Sequence, residues 1–265
     1  ERQCYLPREE NARVEDGRLI IEAHFEEATG PALPERLWQT EADRTNTNTQ
    51  PFTSGRINTR GKGDWTYGRI EVRARLPEGQ GTWPAIWMLP TDNVYGGWAL
   101  SGEIDILEAV NLGAVCLECE DGVENRMFGT LHFGGAWPHN QYQNRRRTLP
   151  VGEDGDQIWH EFAIEWSEGR VEWFLDGESY GYLTPEHWNT QSEVAEAQDN
   201  PNAPFDQRFH LILNLAIGGH LAESHTAGGL DMTGYPKQFE IDYVRVYECA
   251  GDATAVACRH DADDA

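Results

Sequence analysis

Residues 102 to 109 read Gly-Glu-Ile-Asp-Ile-Leu-Glu-Ala, which sets three carboxylates, Glu103, Asp105 and Glu108, in an otherwise apolar run. In an extended strand side chains alternate, so Glu103 and Asp105 share one face while Glu108 points to the other. One bulged residue near Ile106 or Leu107 returns Glu108 to the side of the other two, and bulges recur beside active sites. Like charges brought together push their pKa values apart, leaving one carboxylate ionised and another protonated near neutral pH. Retaining glycoside hydrolysis uses that division: an ionised nucleophile and a neutral acid, with carboxyl groups roughly 5 Å apart. Five residues of extended chain span about 16 Å, so the two glutamates must lean together and the bulge must shorten the path. Asp105 between them can share a proton with the nucleophile. The competing reading of an E-x-D pattern is an edge strand whose exposed face carries solvated acids.

The elements that must position these acids are strands. Strand-like segments at 18–24, 69–75, 103–110, 130–133, 159–166, 171–175, 209–217 and 239–247 are separated by turn signals, and helical periodicity is nearly absent. Arg69-Ile-Glu-Val-Arg-Ala-Arg and Phe239-Glu-Ile-Asp-Tyr-Val-Arg-Val alternate cleanly, as antiparallel sheets with one face in a core do. The pattern predicts an all-β sandwich. Residues 188–198 read as a short surface helix and 199–207, with Pro201 and Pro204, as a loop.

Ten tryptophans are the second chemical feature. Trp159, Trp166 and Trp173 fall within strands and read as packing. Trp98, in Gly96-Gly-Trp-Ala-Leu-Ser-Gly-Glu, and Trp137, in Gly134-Gly-Ala-Trp-Pro, fall in loops, where flat rings can stack on the apolar faces of sugars. Gly177-Glu-Ser-Tyr-Gly matches the nucleophile elbow of serine hydrolases, but that elbow needs a strand-to-helix turn and the flanks here are sheet-like, so a hairpin turn is expected. The nine histidines show no H-E-x-x-H metal spacing; His132 alone sits where a sheet would carry it beside the acids.

With 21 basic and 45 acidic residues the net charge is −24, a field that repels phosphates and so excludes nucleic acid and anionic membranes as partners. Five cysteines suggest local disulfides, Cys116–Cys119 and Cys249–Cys258, with Cys4 left over, and so an oxidising, extracytoplasmic location. No apolar run has transmembrane length.

Joined to Phe52-Thr-Ser-Gly-Arg-Ile, Gly81-Thr-Trp-Pro-Ala-Ile-Trp-Met-Leu-Pro, Thr130-Leu-His-Phe-Gly-Gly-Ala-Trp-Pro, Asn202-Ala-Pro-Phe-Asp-Gln and Asp242-Tyr-Val-Arg-Val-Tyr, the acidic motif makes the chain resemble glycoside hydrolase family 16, and in particular its bacterial laminarinase branch, the endo-β-1,3-glucanases. The resemblance implies a concanavalin-like jelly roll of two bent antiparallel sheets, with the substrate cleft across the concave one. It extends over a catalytic domain taken as residues 1–248, followed by a tail at 249–265 holding the second disulfide loop. Carried over, Glu103 is the nucleophile, Glu108 the acid/base and Asp105 the group that tunes their protonation. Trp98 floors the subsite beside the cleaved bond, and Trp87, His132, Trp137, Arg56 and Asn214 line the cleft. The E-x-D-x-x-E spacing resembles the bulged branches rather than the E-x-D-x-E of lichenases.

The resemblance also implies an opening strand of the family before the segment matching Glu1, so either the sequence begins late or that sheet edge is expected to be altered. A calcium site, as on the convex face of some relatives, would use Asp242 and a carbonyl near Gly17, while catalysis itself needs no cofactor. The expected protein is thus a monomeric, secreted, periplasmic or cell-surface bacterial hydrolase of laminarin or mixed β-1,3-1,4-glucan. The alternatives are a galactan hydrolase of the agarase or carrageenase kind, and a non-catalytic carbohydrate-binding module on the same sandwich.

Overall fold

Period-two alternation along short segments builds two stacked sheets, seen in a computed structural model that describes residues 1–32, 40–224, 229–250 and 254. In chain order the strands are β1 (Gln3–Tyr5), β2 (Ala12–Glu15), β3 (Arg18–Pro31), β4 (Thr47–Ser54), β5 (Arg56–Asn58), β6 (Asp64–Trp65), β7 (Gly68–Arg75) and β8 (Thr82–Pro90). They continue with β9 (Glu103–Ala109), β10 (Arg126–Gly134), β11 (Asn140–Thr148), β12 (His160–Ser167), β13 (Arg170–Leu175), β14 (Glu178–Leu183), β15 (Phe209–Ile217) and β16 (Lys237–Tyr247). One sheet runs β1-β4-β3-β16-β7-β12-β13-β14, with β2 beside β3; the other runs β11-β10-β9-β8-β15-β5, with β6 beside β15. The β1–β4 pair is parallel. The acid-bearing β9 therefore lies inside its sheet, between β8 and β10, and not at an edge.

The residues explain the layers. In β7, Ile70, Val72 and Ala74 are fully buried while Arg69, Glu71 and Arg73 face outward, where Arg69 pairs with Glu71 and Glu165. In β15 all nine residues are buried, because its outer face is covered as well as its core face. The core between the sheets joins Trp166, Phe209, Phe205 and Trp188 through ring contacts of 5.2–6.2 Å. The indoles of Trp166, Trp173 and Trp188 each donate to a backbone carbonyl, of Phe205, Asp105 and Pro201 respectively, so that none of these three buried N–H groups goes unmet.

All eight expected strands are present, several of them longer than their sequence pattern. The surface helix expected at 188–198 is not. Only Ala195–Ala197 makes a single 3-10 turn; Thr190 and Ser192 take the backbone N–H groups of Ser192 and Val194 in local turns that compete with a helix. Two short helices had no sequence expectation: α1 (Glu41–Thr45), closed by a Thr40/Asp43 capping box, and α2 (His220–Ser224). The Gly177 segment is the expected hairpin turn: Asp176 and Gly177, at φ of 51° and 81°, connect β13 to β14. Trp159 is not core; it lies half-buried just before β12, beneath the guanidinium groups of Arg73 and Arg75. Cys116 and Cys119 form the expected disulfide, and Cys4 is free and buried. Cys258 and most of the proposed tail lie outside the described residues. Among the described residues no helix is long and apolar enough to cross a membrane.

Candidate active site

The bulge is where the acids require it. On one side of β9, Leu107 and Asp105 face the consecutive β8 residues Ile86 and Trp87, so Ile106 is the extra residue. On the other side, Glu108 faces Phe128 and Asp105 faces Thr130, so two residues of β9 answer one of β10. Glu108 thereby returns to the face of Glu103 and Asp105, against Thr130, whose hydroxyl lies 3.4 Å from its Oε2.

Each carboxylate has its own partners. The Trp98 indole N–H donates to Glu103 Oε2 at 2.8 Å. Trp83 Nε1 donates to Glu108 Oε1 at 3.2 Å. His132 Nε2 lies 3.3 Å from Asp105 Oδ2 and 3.8 Å from Glu103 Oε1. Asp105 itself is buried, and its Oδ2 accepts no hydrogen bond.

Burial raises all three acids. Glu103 is pushed up to about 8, first by burial and then by the charge of Asp105, with His132 and the Trp98 N–H pulling it back. Asp105 stands well above its ordinary range through burial and the charge of Glu108. Burial also raises Glu108, opposed by His132 and by the donors Trp83 and Thr130. Burial and mutual repulsion thus push all three carboxylates toward sharing protons rather than carrying three charges.

A stability consequence follows from the sign of the Glu103 shift. Between its ordinary 4.5 and about 8 the folded state binds the extra proton, so stability is full below 4.5 and falls as pH rises toward 8. Melting curves of the wild type from pH 5 to 8.5 are expected to show a declining Tm, and Glu103→Gln a flatter decline and the higher Tm at the alkaline end. Parallel curves would mean that the burial of Glu103 carries no linkage.

The remaining predicted residues divide. Trp98 is 37% exposed, with its ring 5.8 Å from that of His132. Trp87, beside Asp105 in register, donates to Asn214 Oδ1 at 2.6 Å, and Arg56 covers its ring at 4.6 Å. Arg56, Trp87 and Asn214 thus form one wall on β5, β8 and β15. Trp137, on the β10–β11 connection, is 74% exposed and free of described hydrogen bonds and ring contacts with the acids. Sequence reading missed Trp83, Thr130 and Tyr142. Trp83 stands four residues before Trp87 and Thr130 two before His132, so strand periodicity placed both on the cleft face. Tyr142, 61% exposed, faces His132 across the β10–β11 hairpin at 5.9 Å, a pairing that depends on hairpin register.

Among the described residues two groups of side chains could hold a metal ion. Ligand atoms of Glu103, Asp105 and His132 lie within 4.8 Å of one another, inside the acid cluster itself. In the group Cys116, Cys119 and Glu124 the sulfurs are joined in the disulfide and Glu124 is paired with Arg126. Of the expected calcium ligands, the Asp242 carboxylate is paired with Arg73 Nη1 at 2.5 Å and Gly17 sits in a turn at φ 78°.

A two-sheet sandwich with three carboxylates, Asp105 buried and Glu103 and Glu108 half-buried, converging on one face defines a glycoside hydrolase of the jelly-roll class. The family model described as Glycosyl hydrolases family 16 matches residues 32–243. The chain is 38% identical over 248 residues to "Glucan endo-1,3-beta-glucosidase A1" of Niallia circulans, covering 94% of this chain and 32% of that protein. It is 40% identical over 240 residues to "Beta-glucanase" of Rhodothermus marinus, covering 90% and 70%. The structure of the laminarinase catalytic domain from Thermotoga maritima superposes with a TM-score of 0.67 at 34% identity, over 94% of this chain and 84% of that one. The chain belongs to glycosyl hydrolases family 16. It spans about a third of the Niallia circulans relative's length.

Proposed function

We propose that this domain is a retaining endo-glycoside hydrolase that cuts β-1,3-glucan, or mixed β-1,3-1,4-glucan, by double displacement. The observation that carries this reading is the bulge at Ile106, which puts Glu108 on the face of Glu103 and Asp105. In the first step Glu108 gives its proton to the glycosidic oxygen while a Glu103 oxygen attacks the anomeric carbon, forming a glycosyl ester and releasing the leaving sugar. In the second, Glu108 takes a proton from water, and the hydroxyl displaces Glu103 from the same carbon. Two inversions leave the configuration retained.

Asp105 takes up the Glu103 proton, so that the nucleophile is ionised when the sugar arrives. His132, near both Asp105 and Glu103, stabilises the resulting charge. Trp98 keeps Glu103 Oε2 in place through its N–H and offers its ring as a stacking surface, while Trp87, Arg56 and Asn214 bind sugars further along the cleft. The relatives' names, two of them β-glucanases and one a laminarinase, support β-glucan as substrate. A binding module would gain nothing from three clustered acids, one buried and two half-buried, which are costly unless they are used. The Cys116–Cys119 disulfide supports a secreted or periplasmic location.

Product analysis on laminarin, lichenan, agarose and carrageenan side by side tests the assignment. Laminarin and lichenan are expected to fall to short oligosaccharides, with the β-anomer formed first by NMR, and the two galactans to remain intact. Intact laminarin would overturn the substrate, and a first-formed α-anomer the mechanism.

A further inference from the structure

The bulge is gripped from the opposite sheet. Trp173, on β13 and fully buried, reaches across the core and donates its indole N–H to the carbonyl oxygen of Asp105 at 2.8 Å. That carbonyl belongs to the peptide linking Asp105 to Ile106, the link at which β9 leaves regular register with β8. The indole has access because residue 129 of β10 is a glycine. A Cβ there would lie 2.2 Å from Trp173 Cδ1 and 2.3 Å from Nε1. Gly129 does not have a positive φ, so the close approach and not the backbone conformation calls for glycine. It is also the β10 residue skipped where Phe128 and Thr130 pair with Glu108 and Asp105.

We infer that Trp173 and the slot at Gly129 form a brace that fixes the bulge, making Trp173 a positioning residue for Glu108. Without the N–H, a buried carbonyl loses the donor that reaches it from the opposite sheet and the Asp105–Ile106 peptide is held less firmly. The turn of that peptide decides where Glu108 stands relative to Glu103, and a misplacement of about 1 Å can lower a rate on the order of a hundredfold. The inference rests on the hydrolase reading for its consequence in turnover.

The test replaces Trp173 with β-(3-benzothienyl)alanine, which keeps the ring's shape and lacks only the N–H, beside Trp173→Phe. Two substrates are compared by kcat/KM: a laminarin oligosaccharide, whose leaving sugar needs a proton from Glu108, and a dinitrophenyl β-laminaribioside, whose leaving group does not. For a folded isosteric variant the first value is expected to fall by about tenfold or more, with KM little changed, and the second to stay within about threefold of wild type. Equal losses on both substrates, or none on either, would overturn the brace. If the hydrolase reading itself fails, wild type and variant cleave neither substrate. The carbon-13 titration of the Glu108 carboxyl then decides: a curve displaced from wild type supports the brace, and an unchanged one sinks it.

Discussion

Glu103→Gln is expected to abolish turnover of laminarin, by roughly four orders of magnitude or more, while leaving oligosaccharide binding in place. The amide nearly matches the carboxyl in shape, and its oxygen can still accept the Trp98 N–H that now meets Glu103 Oε2. What it lacks is a nucleophilic oxygen able to form and release an ester with the anomeric carbon. Reducing-sugar release measures the loss and calorimetric titration with a laminarin oligosaccharide measures the binding that remains. A rate within tenfold of wild type would remove Glu103 from the nucleophile's place. Loss of binding together with rate would make the residue a binding group instead.

Glu108→Ala is the complementary case. It removes the proton donor of the first step and the base of the second, so natural glucan should be cleaved about 10²- to 10⁴-fold more slowly. The substitution leaves a small space lined by the Trp83 and Thr130 donors, suited to an anion. With an activated aryl glycoside and added azide, the azide should attack the anomeric carbon of the Glu103 ester, release the carboxylate and restore the rate. Two inversions then give a β-glycosyl azide, identified by its proton coupling. An α-azide would assign the nucleophile to Glu108 and reverse the two roles.

The parts of the site carried by one strand were legible in the sequence. The odd spacing of Glu108 required an inserted residue, and Ile106 is that residue. Clean alternation gave β7 and β16, and the sheet-like flanks of Gly177 gave the hairpin. Proline hid β8: Pro84 and Pro90 break its pattern, yet the strand lies between β9 and β15 and carries Trp83 and Trp87. The edge strand β11, Asn-Gln-Tyr-Gln-Asn-Arg-Arg-Arg-Thr, buries too little to alternate, and Tyr142 was lost with it. Trp137 shares the Gly- and Pro-rich setting of Trp98 and stands just beyond the end of β10, exposed on the β10–β11 connection. A bond such as Trp173 to Asp105 joins residues 68 positions apart on different sheets, a pairing that no local pattern encodes.

The single inserted residue in β9 also bears on descent. Removing one codon at Ile106 or Leu107 would turn E-x-D-x-x-E into E-x-D-x-E, and plain alternation would still set all three acids on one face. The two spacings are thus neighbours in sequence space, separated by an in-frame deletion that leaves the acids facing the same way. What the deletion would strand is the scaffold behind them. Gly129 would face one residue of β9 instead of two, and the Trp173 indole would have to meet a strand with one residue fewer. Shedding the bulge would therefore mean refitting the opposite sheet as well.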